Sequence, residues 1–199
     1  MTEFTVDGPA LRRALVTALP FGGTDPTLPA LQAVHIAAGP DQIEVTATDR
    51  YVLSLETLPV IAGTPFTVDV PRDVAKRIIA MLPKKHTHHA EASVAEFGSV
   101  DDRVRVTVAG LGVDQSITFH PQDTGFPDLH KVIDNLTANA VTEMHLTPAI
   151  VTRVMRTIRR RRGNAPVRVE FHGEQKPLVI SHGDTFRCLL MPVKKPTDD

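Results

Sequence analysis

The sequence predicts an α+β fold in which one unit, strand–helix–strand–strand–strand, occurs three times. Two observations predict it. Apolar residues recur at helical spacing in three segments, and each segment has one β-type run before it and three after it. The composition, 42% hydrophobic and 23% charged over 199 residues, is that of a globular chain with a sizeable core. Repeats of this kind are typical of assemblies built from stacked similar units.

The first unit spans residues 1–60. Residues 4–6 are a predicted strand, and Asp7 or Gly8 then caps a helix that ends near Leu19. The three strands that follow are predicted at 33–37, 42–48 and 51–58, with a turn at Asp49-Arg50 between the last two.

The second unit spans residues 64–121. Residues 66–70 are a predicted strand, and Pro71 opens a helix that ends at Leu82. The remaining strands are predicted at 92–97, 104–108 and 113–119, with turns at Gly98-Ser99 and Gly110, and Asp101-Asp102 is also interpreted as a turn.

The third unit begins with a predicted strand at 143–146. Thr147 is a good N-cap, Pro148 occupies the first helical position, and the helix continues to about Arg160. Its predicted inner face consists of Ile150, Val151, Val154, Met155 and Ile158. The last three strands are predicted at 167–171, 177–181 and 186–191, and residues 122–139 form a connector that marks a domain boundary.

The final strand carries an unbroken apolar run, residues 188–191, followed by Pro192 and Val193. It is either a buried edge strand that Pro192 closes where no ladder donor is needed, or one wall of a shallow pocket for a partner peptide. Cys188 is the single cysteine, so no internal disulfide can form. We expect its thiol to be buried and inert.

Positive charge is concentrated in the helical segments. The net charge is −1, yet more than half of the 22 lysines and arginines lie there, together with one acid, Asp73. Solvated helix faces, complementation of the helix dipoles, and phosphate contact without base readout are all open explanations. Phosphate contact favours duplex DNA, because no aromatic residues are interleaved for stacking. Arg153, Arg156 and Arg160 form one predicted stripe. The predicted DNA-binding residues are Arg12, Arg13, Arg72, Lys76, Arg77, Arg153, Arg156, Arg159 and Arg160.

The sequence lacks the common motifs that carry chemistry. It has no nucleophile elbow, phosphate-binding loop or dinucleotide fingerprint, so we expect no enzyme, no catalytic residue and no cofactor. His86, His88 and His89 lack a completing cysteine or acid at metal-site spacing, and no metal site is predicted. No segment has the length of a membrane span and the N-terminus does not resemble a signal peptide, so we expect a cytoplasmic protein without membrane contact.

Four motifs, taken in order, resemble one family. They are Ala47-Thr48-Asp49-Arg50-Tyr51-Val52-Leu53; Val70-Pro71-Arg72, which opens a helix ending in Met81-Leu82; Gly125-Phe126-Pro127-Asp128; and Leu189-Leu190-Met191-Pro192-Val193. In this order and at these spacings they resemble the bacterial DNA polymerase III beta subunit, the sliding clamp. Residues 1–133 resemble a complete clamp domain, the family's middle one, and residues 140–195 resemble the second half of its last domain.

The resemblance implies a DNA-clamp fold built from three βαβββ units per chain, with helices on the inner face and sheets outside. Such a ring would encircle double-stranded DNA irrespective of its sequence. The resemblance also implies a pocket for peptides of DNA polymerases and clamp loaders. Carried over by position, its lining is Leu31, Thr48, Tyr51, Leu53, Pro127, Lys131, Val132, Leu189, Leu190, Met191, Pro192 and Val193. Arg50 stands where the family has glycine and Val52 where it has arginine, and a side chain at position 50 is not expected to share glycine's free backbone.

The number of units predicts the assembly. The family closes its ring from twelve units, so four chains of three units would be needed, and an odd number per chain requires two-folds between neighbours. We therefore expect a homo-tetramer with two-fold dihedral symmetry. Two other functions stay open: a clamp-like regulator or decoy that binds partner peptides or the host clamp without closing a ring, and a non-specific DNA-binding protein that uses the helix Arg153–Arg162.

Overall fold

The computed structural model describes residues 2–85, 94–109, 114–122, 125–137, 139–141, 143–163 and 165–194. Two short 3-10 turns, Leu19–Phe21 and Pro29–Gln32, lie between the first helix and the second strand. In chain order the elements are β1 (Thr2–Asp7), α1 (Gly8–Ala18), β2 (Ala33–Ala38), β3 (Gln42–Thr48), β4 (Val52–Pro59), β5 (Ala62–Gly63), β6 (Phe66–Pro71), α2 (Arg72–Met81), β7 (Val94–Val100), β8 (Arg103–Ala109), β9 (Gln115–Phe119), α3 (Leu129–Asp134), α4 (Pro148–Arg162), β10 (Arg168–Glu170), β11 (Leu178–His182) and β12 (Phe186–Leu190).

The strands form two antiparallel sheets that exchange their first strands. The five-stranded sheet has the order β5-β1-β7-β8-β9, and the seven-stranded sheet has the order β10-β11-β12-β4-β3-β2-β6. β1 therefore pairs with β7 of the second unit, and β6 pairs with β2 of the first. Because each first strand completes the other unit's sheet, the first two units interlock through main-chain hydrogen bonds.

The third unit extends the seven-stranded sheet. β12 pairs with β4, so that Leu189 lies opposite Leu53 and Cys188 opposite Ser54. The prediction of an edge strand was wrong, because β4 offers an open edge and β12 occupies it, with β11 on its other side. Pro192 follows the end of β12 and removes no ladder donor.

Three helices lie side by side, with α1 between α2 and α4. The Asp7 carboxylate accepts a hydrogen bond from the Ala10 amide at 2.8 Å and caps α1, as its sequence predicts. Leu11 and Leu15 of α1 are fully buried in the main core, which joins residues of both sheets to all three helices. The helices thus share one side of the molecule, and α1 is covered from both flanks.

A fourth helix, α3, lies on the opposite face of the seven-stranded sheet. Leu129 of α3 packs with Leu53, Leu55, Val179 and Leu189, which alternate in sequence with the core-facing residues of β4, β11 and β12. The connector was predicted without a helix. The Asp128 carboxylate, which accepts from the Lys131 amide at 3.4 Å, is a start signal within that connector.

Three local predictions in the second and third units were wrong. Gly98-Ser99 is not a turn: β7 continues to Val100, and the hairpin turns at Asp101-Asp102, where Asp101 has a φ of 54°. The register of β7 with β8, which pairs Ser99 with Val104 and Val100 with Arg103, places the turn later. Gly110 and the predicted strand residues Ala92, Ser93 and Val113 lie outside the described residues.

Residues 143–146 were predicted as a strand but lie in none. In the two complete units this strand pairs with the sheet of the neighbouring unit, and the described chain contains no fourth unit for it to join. Met155, predicted on the inner face of α4, is 42% exposed, whereas Val154 and Ile158 are buried. Among the described helices, only α1 makes close contacts with α4, and Met155 is left exposed on this helix.

Candidate nucleic-acid interface and partner cleft

The helical side of the molecule is basic. Helices α1, α2 and α4 contain one acid, Asp73. Because cationic side chains gathered on one face create a positive potential, this face attracts polyanions. The predicted DNA-binding residues that are exposed there are Arg13, Lys76, Arg77, Arg156, Arg159 and Arg160.

A groove between α1 and α4 concentrates this charge. Arg12 and Arg13 enter it from α1, and Arg160 and Arg161 from α4, around a cavity of about 210 Å³. The Arg12 Nε atom is buried and makes no hydrogen bond within the described part of the chain. The groove therefore presents Arg12, Arg13 and Arg160, whose guanidinium groups phosphate oxygens could bind in bidentate fashion.

Two of the predicted DNA-binding arginines are engaged within the protein. Arg72 donates from Nη1 to the Leu19 carbonyl at 2.8 Å and so binds the C-terminal end of α1. Arg153 donates to the Asp49 carboxylate at 2.7 Å, and its side chain is 31% exposed. The predicted stripe on α4 therefore offers Arg156 and Arg160 to solvent, while Arg153 joins the third unit to the first.

A buried ion pair that was not predicted from the sequence also joins these two units. Arg161 of α4 donates to Glu56 of β4, and the two side chains are 6% and 5% exposed. The Arg161 guanidinium also lies 5.0 Å from the centre of the Phe186 ring. A sequence signal does exist, because Glu56 occupies a core-facing position of β4 between the buried Ser54 and Leu58.

The turn between β3 and β4 forms one wall of a cleft between the first and third units. The Asp49 carboxylate accepts from the Tyr51 amide at 3.0 Å and from the Val52 amide at 2.9 Å. Arg50 has a φ of 78°, so the expectation that it cannot share glycine's backbone was wrong: it adopts the conformation at a cost in strain. Three further hydrogen bonds hold the turn in place. The Asp49 amide and the Thr48 hydroxyl donate to the Val52 carbonyl, and the Arg50 amide donates to the Thr48 hydroxyl oxygen.

This cleft, which we call the turn cleft, is lined by a polar set of residues. Its volume is about 280 Å³, and the Asp49–Arg153 ion pair lies in its wall. Leu31 and Tyr51, both predicted pocket residues, line it, and Tyr51 is 55% exposed. The Met191 amide donates to the Tyr51 carbonyl at 2.8 Å, which places the 37% exposed Met191 beside the same turn.

The other predicted pocket residues are distributed over several surfaces. Leu53 and Leu189 are buried beneath α3, and Leu190 is fully buried in the main core on the opposite face. Thr48 is buried and donates to the Val52 carbonyl. The remaining ones are closer to solvent: Pro127 lines a cleft beside α3, Lys131 and Val132 are exposed on α3, and Pro192 and Val193 line a cavity with residues 143–145.

Comparison with solved structures decides the fold. The first match, described as a DNA polymerase III beta subunit from Eubacterium rectale, has a TM-score of 0.77 at 9% identity and covers 96% of this chain and 65% of that one. The sliding clamp of Bacillus subtilis has a TM-score of 0.74 at 13% identity over 98% of this chain and 65% of that one. The sliding clamp of Pseudomonas aeruginosa has a TM-score of 0.71 at 14% identity over 100% of this chain and 66% of that one.

This chain has the sliding-clamp fold. It spans about two thirds of the length of the clamps that it matches. No family model matches the sequence, and no curated protein sequence matches it. The resemblance found in four short motifs therefore agrees with the three-dimensional structure, at a sequence identity of 9–14%.

In this sliding-clamp fold, the outer face carries two histidine–carboxylate pairs beside α3. His130 Nε2 lies 2.7 Å from Glu44, and His35 Nδ1 lies 2.6 Å from Asp69. The hydrogen bond and charge of Glu44 raise the pKa of His130 above its ordinary value. The His35 ring also stacks on Phe126 at 4.6 Å, so these groups hold the connector against the sheet.

Cys188 is fully buried, as predicted, and burial raises the pKa of its thiol. No cluster of three histidine, cysteine or acidic side chains suited to a metal ion occurs among the described residues, and His86, His88 and His89 lie outside them. None of the described helices is long and apolar enough to cross a membrane.

Proposed function

We propose that this chain is a compact DNA sliding clamp, a non-catalytic processivity factor that encircles duplex DNA in the cytoplasm. The observation that carries the proposal is the basic side formed by α1, α2 and α4, which holds a single acid within the sliding-clamp fold. Cations spread over three helices suit phosphates, which carry no sequence information. The groove between α1 and α4 would be one such phosphate contact.

The ring would consist of four chains. Residues 1–133 would act as a complete clamp domain and residues 140–195 as half of another, so that two third units together make one domain. The open strand position at 143–146 and the exposed flank of α4 support an incomplete third unit. Two-folds at both chain contacts would give the tetramer two-fold dihedral symmetry.

Peptides of a DNA polymerase and of a clamp loader would dock at the turn cleft. The main-chain contact between Tyr51 and Met191 supports this docking place, because it brings exposed side chains of the first and third units together. Leu53 and Leu189, buried beneath α3, would form the rigid base from which this surface is presented.

The decisive experiment compares retention on nicked circular DNA with retention on the same DNA after linearisation. A ring is retained on the circle and slides off the linear form. Reversing the charge of the exposed Arg156 and Arg160 should weaken retention and reduce the slope of log affinity against log salt by about 1.8.

Arg187→Glu is the matched control, since Arg187 is exposed on β12 and alternates with the core-facing Phe186 and Cys188. Equal retention of the control, the double variant and the parent would place Arg156 and Arg160 away from the DNA. Equal retention of the parent on linear and circular DNA would instead support the non-specific DNA-binding protein.

A regulator or decoy that binds partner peptides or the host clamp without closing a ring is the second candidate. The observation that favours it is that two of the predicted DNA-binding arginines, Arg72 and Arg153, are bonded to Leu19 and Asp49 within the protein. Peptide binding without any retention of the parent chain on circular DNA would support this function.

A further inference from the structure

Within the described residues, the third unit lacks two contacts that the first two units give each other. In both complete units the strand before the helix pairs with a strand of the other unit. β1 pairs with β7 of the second unit, and β6 pairs with β2 of the first. Residues 143–146 precede α4 in the same way but lie in no strand. β10, the third unit's counterpart of β2 and β7, is one of the two edge strands of the seven-stranded sheet.

Residues 143–146 have the apolar pattern of an exchanged strand. Counted back from the helix N-cap, positions −3 and −1 are Phe4 and Val6 in the first unit and Val68 and Val70 in the second, all at most 3% exposed. The same positions before Thr147 are Met144 and Leu146, which are only partly buried. The segment thus carries inward-facing side chains without the sheet that covers them elsewhere.

The helix shows the same deficit. Eight residues after the N-cap lie Leu15 in α1, Ile79 in α2 and Met155 in α4. Leu15 is fully buried and Ile79 is partly buried against the core, whereas Met155 is 42% exposed. Met155 therefore lies where the partner unit's side chains would pack.

The edge strand is also uncovered. Val169 lies opposite the buried Ile180 and so faces the core side of the sheet, yet it is 42% exposed. Phe171, two residues on, is 43% exposed. The corresponding face of β2 carries Val34 and Ile36, which are at most 1% exposed. A bare apolar edge strand readily accepts another strand.

We propose that a second copy of this chain completes the third unit by reciprocal strand exchange, an inference that rests on the proposed ring and names its contact. Residues 143–146 of each copy pair antiparallel with β10 of the other, and the two α4 helices cover each other's Met155. A second copy is the occupant because it supplies a strand and receives one at the same contact. One two-fold axis therefore fills both strand positions and covers both helix flanks.

The exchange requires few native contacts to be given up. Val193 donates to the His145 carbonyl at 2.8 Å, and Asn139 donates to the Phe171 carbonyl at 2.9 Å just beyond β10. These main-chain bonds, together with the partial packing of Met144 and Leu146 against the core, hold the segment in the single chain. Each bond would be replaced by ladder bonds to the partner.

The test combines solution mass with disulfide trapping, both on the full chain. Val169→Asp places a charge at the exchanged edge and should halve the mass measured by light scattering at tens of micromolar. Val132→Asp is the matched control, because Val132 is 43% exposed and lies on α3, and it should keep the parent's mass. Circular dichroism of both variants verifies that they fold.

Cysteine pairs for trapping are chosen by comparison with the complete units. Thr5 and Asp69, like His145, lie two residues before a helix N-cap, and each faces an outward-pointing residue of β7 or β2. The outward-pointing residues of β10 are Arg168 and Glu170, so His145 is paired with each of them in turn. One of the double-cysteine variants H145C/R168C and H145C/E170C should give a covalent dimer on oxidation, because cross-strand cysteines fit disulfide geometry. H145C/R187C is the control and should stay monomeric on a non-reducing gel.

The outcomes separate this contact from the ring itself. A parent oligomer whose mass Val169→Asp leaves unchanged, with neither pair cross-linking, overturns strand exchange, and retention of that oligomer on circular DNA would leave the clamp function standing. A parent chain that is monomeric at these concentrations overturns strand exchange and the four-chain ring together.

Discussion

Removing the Glu56 carboxylate should destabilise the chain more than removing any exposed acid. Glu56→Ala leaves Arg161 as a cation whose side chain is 6% exposed, beside the Phe186 ring at 5.0 Å. Breaking a buried ion pair from one side costs about 3–5 kcal/mol, because the other charge stays buried without its partner.

That loss is large against the free energy of unfolding of a typical domain, about 5–15 kcal/mol. For a chain of 199 residues it corresponds to a fall in Tm of about 6–20 °C, at roughly 2–4 °C for each kcal/mol. The pair joins α4 to β4, so the third unit should loosen from the first before the interlocked sheets separate.

Urea unfolding followed by circular dichroism measures the difference. Asp73→Ala is the control, because its ion pair with Lys76 is exposed, at 89% and 58%, and should change stability by less than about 0.5 kcal/mol. The double variant Glu56→Leu/Arg161→Met should recover most of the loss, since apolar side chains of similar size replace both charges. A loss below about 1 kcal/mol for Glu56→Ala, or no recovery in the double variant, would refute the reasoning.

Three further predictions concern single positions. Arg50→Gly should raise the free energy of unfolding by about 1 kcal/mol in urea titrations, because a non-glycine residue at a φ of 78° is strained, and a destabilised variant would contradict this. His130 should stabilise the fold fully below pH 6.5, its ordinary pKa, and should lose this effect as pH rises through its raised folded pKa. The difference in unfolding free energy between the parent and His130→Ala should therefore shrink from pH 5.5 to pH 8.5. A constant difference would exclude the Glu44 pair as its cause. Cys188 should resist a thiol reagent in the native state and react fully in urea, and rapid native labelling would contradict its burial.

Local signals predicted most of the secondary structure. α1 begins where Asp7 caps it, and β3 has the bounds that its alternation indicated. These elements depend on neighbours in sequence, on caps, spacing and turn residues, and such signals are readable without the fold. The turn at Asp101-Asp102 shows the limit, since Gly98-Ser99 has equal turn chemistry and the register of β7 with β8 decided between them.

The candidate site was less predictable, because it depends on contacts between distant units. The excess of arginine on the helices is visible in the sequence, but Arg72 and Arg153 are engaged with Leu19 and Asp49 only once the chain has folded. Arg161 is part of the same basic run as Arg160, yet one is buried on Glu56 and the other is exposed. Adjacent helix positions differ by about 100° in direction, so the packing of α4 assigns their roles.

The sequence by itself determined the repeat, the helix starts, the buried thiol and the concentration of cations on the helices. The tertiary structure decided that first strands are exchanged and that β12 joins β4 in the sheet interior. It also decided that, among the described residues, 143–146 lie in no strand, β10 is an edge strand and Met155 is exposed. The physical reason is that a strand's hydrogen bonds and a helix's second flank must be satisfied by another segment. Local sequence specifies that such a partner is needed, and only the assembled fold specifies which segment provides it.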